Sequence, residues 1–95
     1  MPEIQGNFIW DPKKEILNIQ KHGINFIMAA KAFRDPGRKI FTDEKHSQIE
    51  PRLFCIGRVD NKIVTVRFVY SEGKIRIFGA GYWRKGARYY YEKEN

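Results

Sequence analysis

The sequence predicts an α+β domain: two N-terminal helices packed on a four-stranded antiparallel meander, followed by a short C-terminal helix. Three observations predict it. Two capped segments of helical spacing open the chain, Arg38 to Gly81 reads as strand-length runs parted by turn and loop residues, and the tail is basic and aromatic without alternation. With 95 residues the chain makes one domain, 1–95, with one modest core.

The first helix is framed by its caps. In "FIWDPKKEILNIQKHG", Asp11 is a good N-cap and Pro12 suits the first helical position. Lys21 and His22 favour a helix C-terminus, and Gly23 is a natural stop, so the helix runs from about 12 to 22 with Ile16, Leu17 and Ile19 as its apolar contacts. A second, shorter helix lies in "NFIMAAKAFRDPG". Asn25 caps it, Phe26, Ala29, Ala30 and Phe33 form one buried face, and Asp35-Pro36-Gly37 ends it.

Four strands come next: "RKIFTD", then after the polar loop "EKHSQIEP" the runs "RLFCIGRV", "KIVTVRFVYS" and "KIRIFGAG". Asp60-Asn61 and Glu72-Gly73 read as two-residue hairpin turns. Such turns fix the register: Val59 opposite Lys62, Phe54 opposite Arg67, Ser71 opposite Lys74, Val69 opposite Arg76 and Arg67 opposite Phe78. One face then carries Leu53, Cys55, Val59, Val64, Val66, Phe68, Tyr70, Ile75 and Ile77, an apolar surface for the helices to cover. The other carries Arg52, Phe54, Ile56, Arg58, Thr65, Arg67, Val69, Arg76 and Phe78. Neighbouring arginines repel, so stability alone does not favour such a row. It suits a polyphosphate ligand, since guanidinium forks grip phosphate and aromatic rings stack on unpaired bases. The competing reading is a solvated face whose arginine stems cover apolar neighbours. The tail "RKGARYYYEKEN" forms a short helix weakened by Gly86, and it extends the same surface if it folds back beside that face.

The net charge of +7 points to polyanions or acidic proteins as partners. No apolar run is long enough to span a membrane, and "MPEIQGNFIWD" lacks the form of a secretory signal. The single cysteine, Cys55, excludes an internal disulfide and suits a reducing cytoplasm. Two distant histidines with one cysteine make no zinc spacing, so neither a metal nor another cofactor is expected. His22 reads either as a proton shuttle or as a helix-end group complementing the dipole. His46, with Ser47, Glu50 and Arg52, is either a site cluster or a loop tied down by hydrogen bonds.

"FIWDPKKEILNIQKHGINFIMAAKAFRDP" resembles the start of the BrnT toxins through Trp10, Asp11, Lys14, Asn18, Lys21, His22, Gly23, Phe26, Ala29, Ala30, Phe33 and Asp35. His46, Ser47, Glu50, Arg52 and Gly57 match a later stretch of that family's pattern. The resemblance implies a RelE-like fold and a bacterial toxin that cleaves RNA and stops translation. It also implies neutralisation by a cognate BrnA-like antitoxin, with the complex binding operator DNA. One position departs from the pattern: Gly81 stands where an arginine is usual, with Arg84 and Lys85 close by in the chain.

Metal-free RNA cleavage needs a base for the 2′-hydroxyl, cations for the crowded phosphate and an acid for the leaving oxygen. Arg67 and Arg76 are the expected phosphate stabilisers, with Arg84 and Lys85 adding charge; Glu50, His46, His22 and Tyr91 are the acid–base candidates. Arg52, Arg58, Phe54, Phe78, Lys21, His22 and Arg88 are the expected RNA-binding groups. The alternative is a non-catalytic basic module that binds RNA or an acidic protein on the same face, a reading the Gly81 departure favours.

Overall fold

The computed structural model describes residues 3–5, 7–46 and 48–92. Strands β1 (Glu3–Gln5) and β2 (Phe8–Trp10) come first, then helices α1 (Pro12–His22) and α2 (Phe26–Ala30). Strands β3 (Lys39–Thr42), β4 (Leu53–Val59), β5 (Lys62–Ser71) and β6 (Lys74–Gly81) succeed them, and helix α3 (Arg84–Tyr91) is the last element described. Single turns of 3₁₀ helix occupy Lys31–Arg34, continuing α2, and Glu44–His46, inside the expected polar loop.

The four-stranded meander is present as β3 to β6, but the sheet is larger and not purely antiparallel. Its six strands run in the order β1-β2-β6-β5-β4-β3, and β2 lies parallel to β6. The two extra strands have three residues each, too few for alternation to register. Phe8-Ile9-Trp10 is moreover a continuous apolar run, as befits an inner strand flanked by β1 and β6.

The helices begin and end on the expected caps. Asp11 accepts the Lys13 N–H at 2.9 Å, Asn25 accepts the Met28 N–H at 2.7 Å, and Gly23 closes α1 at φ 71°. The second helix and its 3₁₀ turn cover the apolar face, with Phe33 edge-on to both Phe8 and Phe68 and Phe26 edge-on to Trp10. Phe26 and Phe68 are fully buried, so truncating either to alanine costs about 3–5 kcal/mol. Gly57 is required where this layer meets β4: a Cβ there would lie 2.3 Å from the Ala32 carbonyl oxygen. Burial pushes the Cys55 thiol up to about 12, which leaves it an inert core group.

Helix α1 departs from expectation. Ile16, Leu17 and Ile19 are exposed, and the buried residue of the helix is Asn18. The helix lies beside β6 past the end of β2, and Asn18 takes the place of a missing strand there. Its Oδ1 accepts the Ala80 N–H at 3.0 Å, and its Nδ2 donates to the Ile24 carbonyl at 2.9 Å. Both ends of a buried amide are thereby satisfied. Glu15 ties the same region together, accepting from the Trp10 indole at 3.2 Å and from the Phe26 N–H at 2.8 Å.

The hairpin registers agree with expectation through Val59–Lys62, Phe54–Arg67, Ser71–Lys74 and Val69–Arg76. The Arg67–Phe78 pair does not form. A bulge intervenes: Phe68 pairs with Ile77 but Arg67 pairs with Gly79, leaving Phe78 as the extra residue. The shift reverses the facing of the last residues of β6. Ala80, opposite Val66, enters the core, and Gly81, opposite Thr65, shares the arginine-bearing face.

Candidate functional site

Helix α3 folds back onto the arginine-bearing face and closes one side of it. Gly86 lets it approach: a Cβ at that position would sit 1.9 Å from Thr65 Oγ1. The residue that weakens the helix by propensity is therefore what allows its backbone to rest on β5. The far end is anchored by polar ties. The Tyr90 hydroxyl donates to Asp35 at 2.5 Å, Asp35 also accepts the Arg58 and Gly37 N–H groups, and Lys39 donates to the Tyr89 and Glu92 carbonyls. Burial alone would raise the Asp35 carboxyl, but the hydrogen bonds from Tyr90, Arg58 and Gly37 and the Arg58 charge outweigh it, and its pKa falls. The same bond to Asp35, with burial and the carboxylate charge, raises the Tyr90 hydroxyl.

Between α3, the sheet and the 3₁₀ turn after β3 lies a cleft of about 770 Å³. Phe41, Phe54, Ile56, Thr65 and Arg67 form its sheet wall; Trp83, Lys85, Gly86 and Tyr89 come from α3 and its N-cap; Asp43 to His46 supply the third side. Phe41 stacks at a tilt on both Phe54 and Tyr89, with ring centroids 5.3 and 5.2 Å apart. The cleft thus joins an aromatic wall to Arg67 and Lys85. His46 also borders a second hollow of about 460 Å³ with Glu50 and Arg52.

The expected site residues divide among several places. Arg67, Lys85, His46 and Phe54 meet in the main cleft, and Glu50 and Arg52 lie beyond His46. Phe78, displaced by the bulge, still joins this group: the Arg52, Arg67 and Lys14 cations lie 5.0, 5.2 and 6.0 Å from its ring centre. Arg76 lies between Val69 of β5 and Ile9 of β2 and lines neither cavity; Arg84, Arg88 and Lys21 are exposed and line neither either. Arg58 and Tyr91 engage each other, Nη2 donating to the hydroxyl at 2.8 Å, and that bond raises the Arg58 pKa. They brace the end of α3 away from the cleft. His22 packs edge-on against Trp83, with centroids 5.2 Å apart. Ser47 lies outside the described residues.

Among the cleft residues that escaped the sequence reading, two bear most on its chemistry. Asp43 is buried and its Oδ2 lies 2.8 Å from His46 Nδ1. A carboxylate only accepts, so Nδ1 carries the shared proton and, in the neutral ring, Nε2 is the acceptor nitrogen. The signal available was an aspartate three residues before a histidine, "DEKH", which is too common to single out. The second is Trp83, which reads in sequence only as a residue between the last strand and the tail helix.

Among the described residues no group of three or more His, Cys, Asp or Glu could hold a metal ion, and no helix is long and apolar enough to cross a membrane. The fold and cleft define a small basic α+β protein with Arg67 and Lys85 on an aromatic-walled cavity. The chain belongs to the BrnT family, described as the ribonuclease toxin, BrnT, of type II toxin-antitoxin systems, whose pattern it matches over residues 10–86. A comparison with curated proteins gives no match.

Proposed function

We propose that this chain is the toxin of a type II toxin–antitoxin pair and acts as a metal-independent endoribonuclease through the α3 cleft. The observation that carries the proposal is the meeting of Arg67, Lys85 and the Asp43–His46 pair around one aromatic-walled cavity. His46 Nε2 takes the proton from a 2′-hydroxyl, with Asp43 holding the ring and stabilising the imidazolium that forms. The 2′-oxygen attacks the adjacent phosphorus, and Arg67 and Lys85 offset the charge that builds on the phosphoryl oxygens. The P–O5′ bond breaks, leaving a 2′,3′-cyclic phosphate and a 5′-hydroxyl end, with the Lys85 ammonium, the cation that α3 brings to the cleft, donating the proton to the leaving oxygen. Arg52 and Phe78 extend the surface along which the strand lies. Arg76, Arg84 and Arg88 contribute to the field that draws RNA in rather than to contacts in the cleft. Cleavage of message RNA stops translation in the cytoplasm, and a cognate BrnA-like antitoxin that also binds operator DNA neutralises it.

The test is cleavage of an end-labelled RNA in EDTA by the wild-type chain and by Arg67→Ala. Cleavage that survives EDTA and falls by about a hundredfold or more in Arg67→Ala, a loss typical of a transition-state contact, is the expected result. A folded wild-type chain that binds RNA and leaves it intact refutes the nuclease and makes this a non-catalytic RNA-binding module.

A further inference from the structure

The cleft contains a feature of its own where the end of β6 meets α3. A Cβ built on Gly81 would lie 2.6 Å from both Cε2 and Cζ2 of Trp83 and 2.9 Å from its Cδ2. Three near-equal distances to atoms around the ring fusion place the indole face-on over Gly81, so the glycine is the floor on which the ring lies. The bulge at Phe78 makes this possible, because it turns Gly81 to the cleft side of the sheet opposite Thr65. His22, which does not line the cleft, meets the indole at a steep angle with ring centroids 5.2 Å apart, while the indole is part of the cleft wall. Trp83 is only half-buried, whereas Trp10 is 3% exposed in the core.

A large aromatic on a cleft wall shared with Arg67 and Lys85 has an evident chemical use. Aromatic planes beside phosphate-binding cations are how proteins hold single-stranded nucleic acid, because every base has a π-face and stacking tolerates any sequence. An ordinary core role does not account for the placement, since the ring covers a glycine and lines the cleft rather than joining the apolar cluster on the opposite face. We infer that Trp83, laid over Gly81 and packed against His22, is a stacking platform for one unpaired base of the RNA strand whose phosphate Arg67 and Lys85 hold. This rests on the reading of the cleft as an RNA site and adds a base-binding subsite to it.

The experiment uses the full chain and a short single-stranded 2′-O-methyl RNA, which lacks the attacking hydroxyl and so stays intact. A second oligomer of the same length, abasic at every position, carries the same phosphates. The wild-type chain is expected to bind the base-containing oligomer about tenfold or more tighter than the abasic one, with quenching of the half-buried Trp83. Trp83→Leu, which fills the space without a π-face, loses that preference, and Trp83→Phe keeps most of it. Arg67→Ala weakens both oligomers alike. Circular dichroism and the emission of the buried Trp10 verify that each variant folds. Trp83→Leu binding both oligomers as wild type does overturns the platform and leaves the RNA site standing. A wild-type chain that binds neither oligomer overturns the RNA site and the platform with it.

Discussion

Substituting Gly86 by alanine tests how α3 is seated. In a solvent-facing helix that change stabilises by about 1 kcal/mol, through backbone entropy. Here the new methyl would sit 1.9 Å from Thr65 Oγ1, roughly 1.5 Å inside normal carbon contact. Thr65 is buried on a central strand, so the backbone of α3 must lift instead. Overpacking costs about 1–3 kcal/mol, and an overlap this deep against a buried residue belongs to the upper part of that range, about 2–3 kcal/mol; after the propensity gain of about 1 kcal/mol, Gly86→Ala is expected to destabilise by about 1–2 kcal/mol. At about 4–8 °C per kcal/mol for a domain of this size, the melting temperature falls by roughly 5–15 °C. The control is Thr65→Ala. Thr65 Oγ1 has no hydrogen-bond partner among the described residues, so deleting it breaks no bond, and the next contact of the added methyl is Thr65 Cβ at 3.2 Å. In the Thr65→Ala background, Gly86→Ala should become neutral or stabilising by up to about 1 kcal/mol. Thermal and urea melts of wild type, the two single variants and the double variant give the coupling directly. A Gly86→Ala chain as stable as wild type, or a penalty that persists once Thr65 is replaced, refutes the seating argument.

The other predictions concern the anchor of α3 and the acid–base pair. The lowered Asp35 pKa contributes stability that is present above the ordinary carboxylate value and lost as pH falls through the lowered one. The raised Tyr90 pKa contributes stability that is present below the ordinary tyrosine value and lost as pH rises through the raised one. Stability curves of wild type and Tyr90→Phe across pH should therefore converge at the alkaline end, and parallel curves there would contradict the tie. In the cleft, His46→Ala should lower single-turnover RNA cleavage by about a hundredfold or more, the usual scale of a positioned acid or base. Asp43→Asn should lower it less, shift its pH profile and leave RNA binding unchanged; an unshifted profile would reduce Asp43 to a loop-fixing residue.

The legible parts of this fold were those written in local chemistry. Asp11, Pro12 and Gly23 bound α1 because a cap is satisfied within a few residues of itself. Glu72-Gly73 set its hairpin because both residues take positive φ, 53° and 76°, as the turn requires. The features that stayed hidden depended on distant partners. Ile16, Leu17 and Ile19 read as the apolar contacts of α1, yet the helix turns Asn18 inward because β6 outruns β2 and leaves the Ala80 N–H without a strand beside it. The parallel pairing of β2 with β6 has no local signature at all. Nor has the bulge, since "RIFGAG" reads as uninterrupted alternation broken only by glycines.

That bulge reorganises the site more than any residue named from the sequence. Without it Gly81 would face the core, Ala80 would face the cleft, and Trp83 would have no flat surface to lie on. With it, the arginine row is also divided. Arg67 keeps its place beside the cleft, Arg52 and Arg67 share the displaced Phe78, and Arg76 is left between Val69 and Ile9 outside both cavities. Arg58, from the same face, serves the tyrosines that hold α3. A row that looked like one phosphate-binding surface is thus two devices: cations at the cleft, and cations that keep the helix closing the cleft in place. The division also explains why a glycine at position 81 need not empty the site. The space a side chain would enter there is already filled by the Trp83 indole, which exchanges a charge for a stacking plane while Arg67 and Lys85 remain on the same cleft.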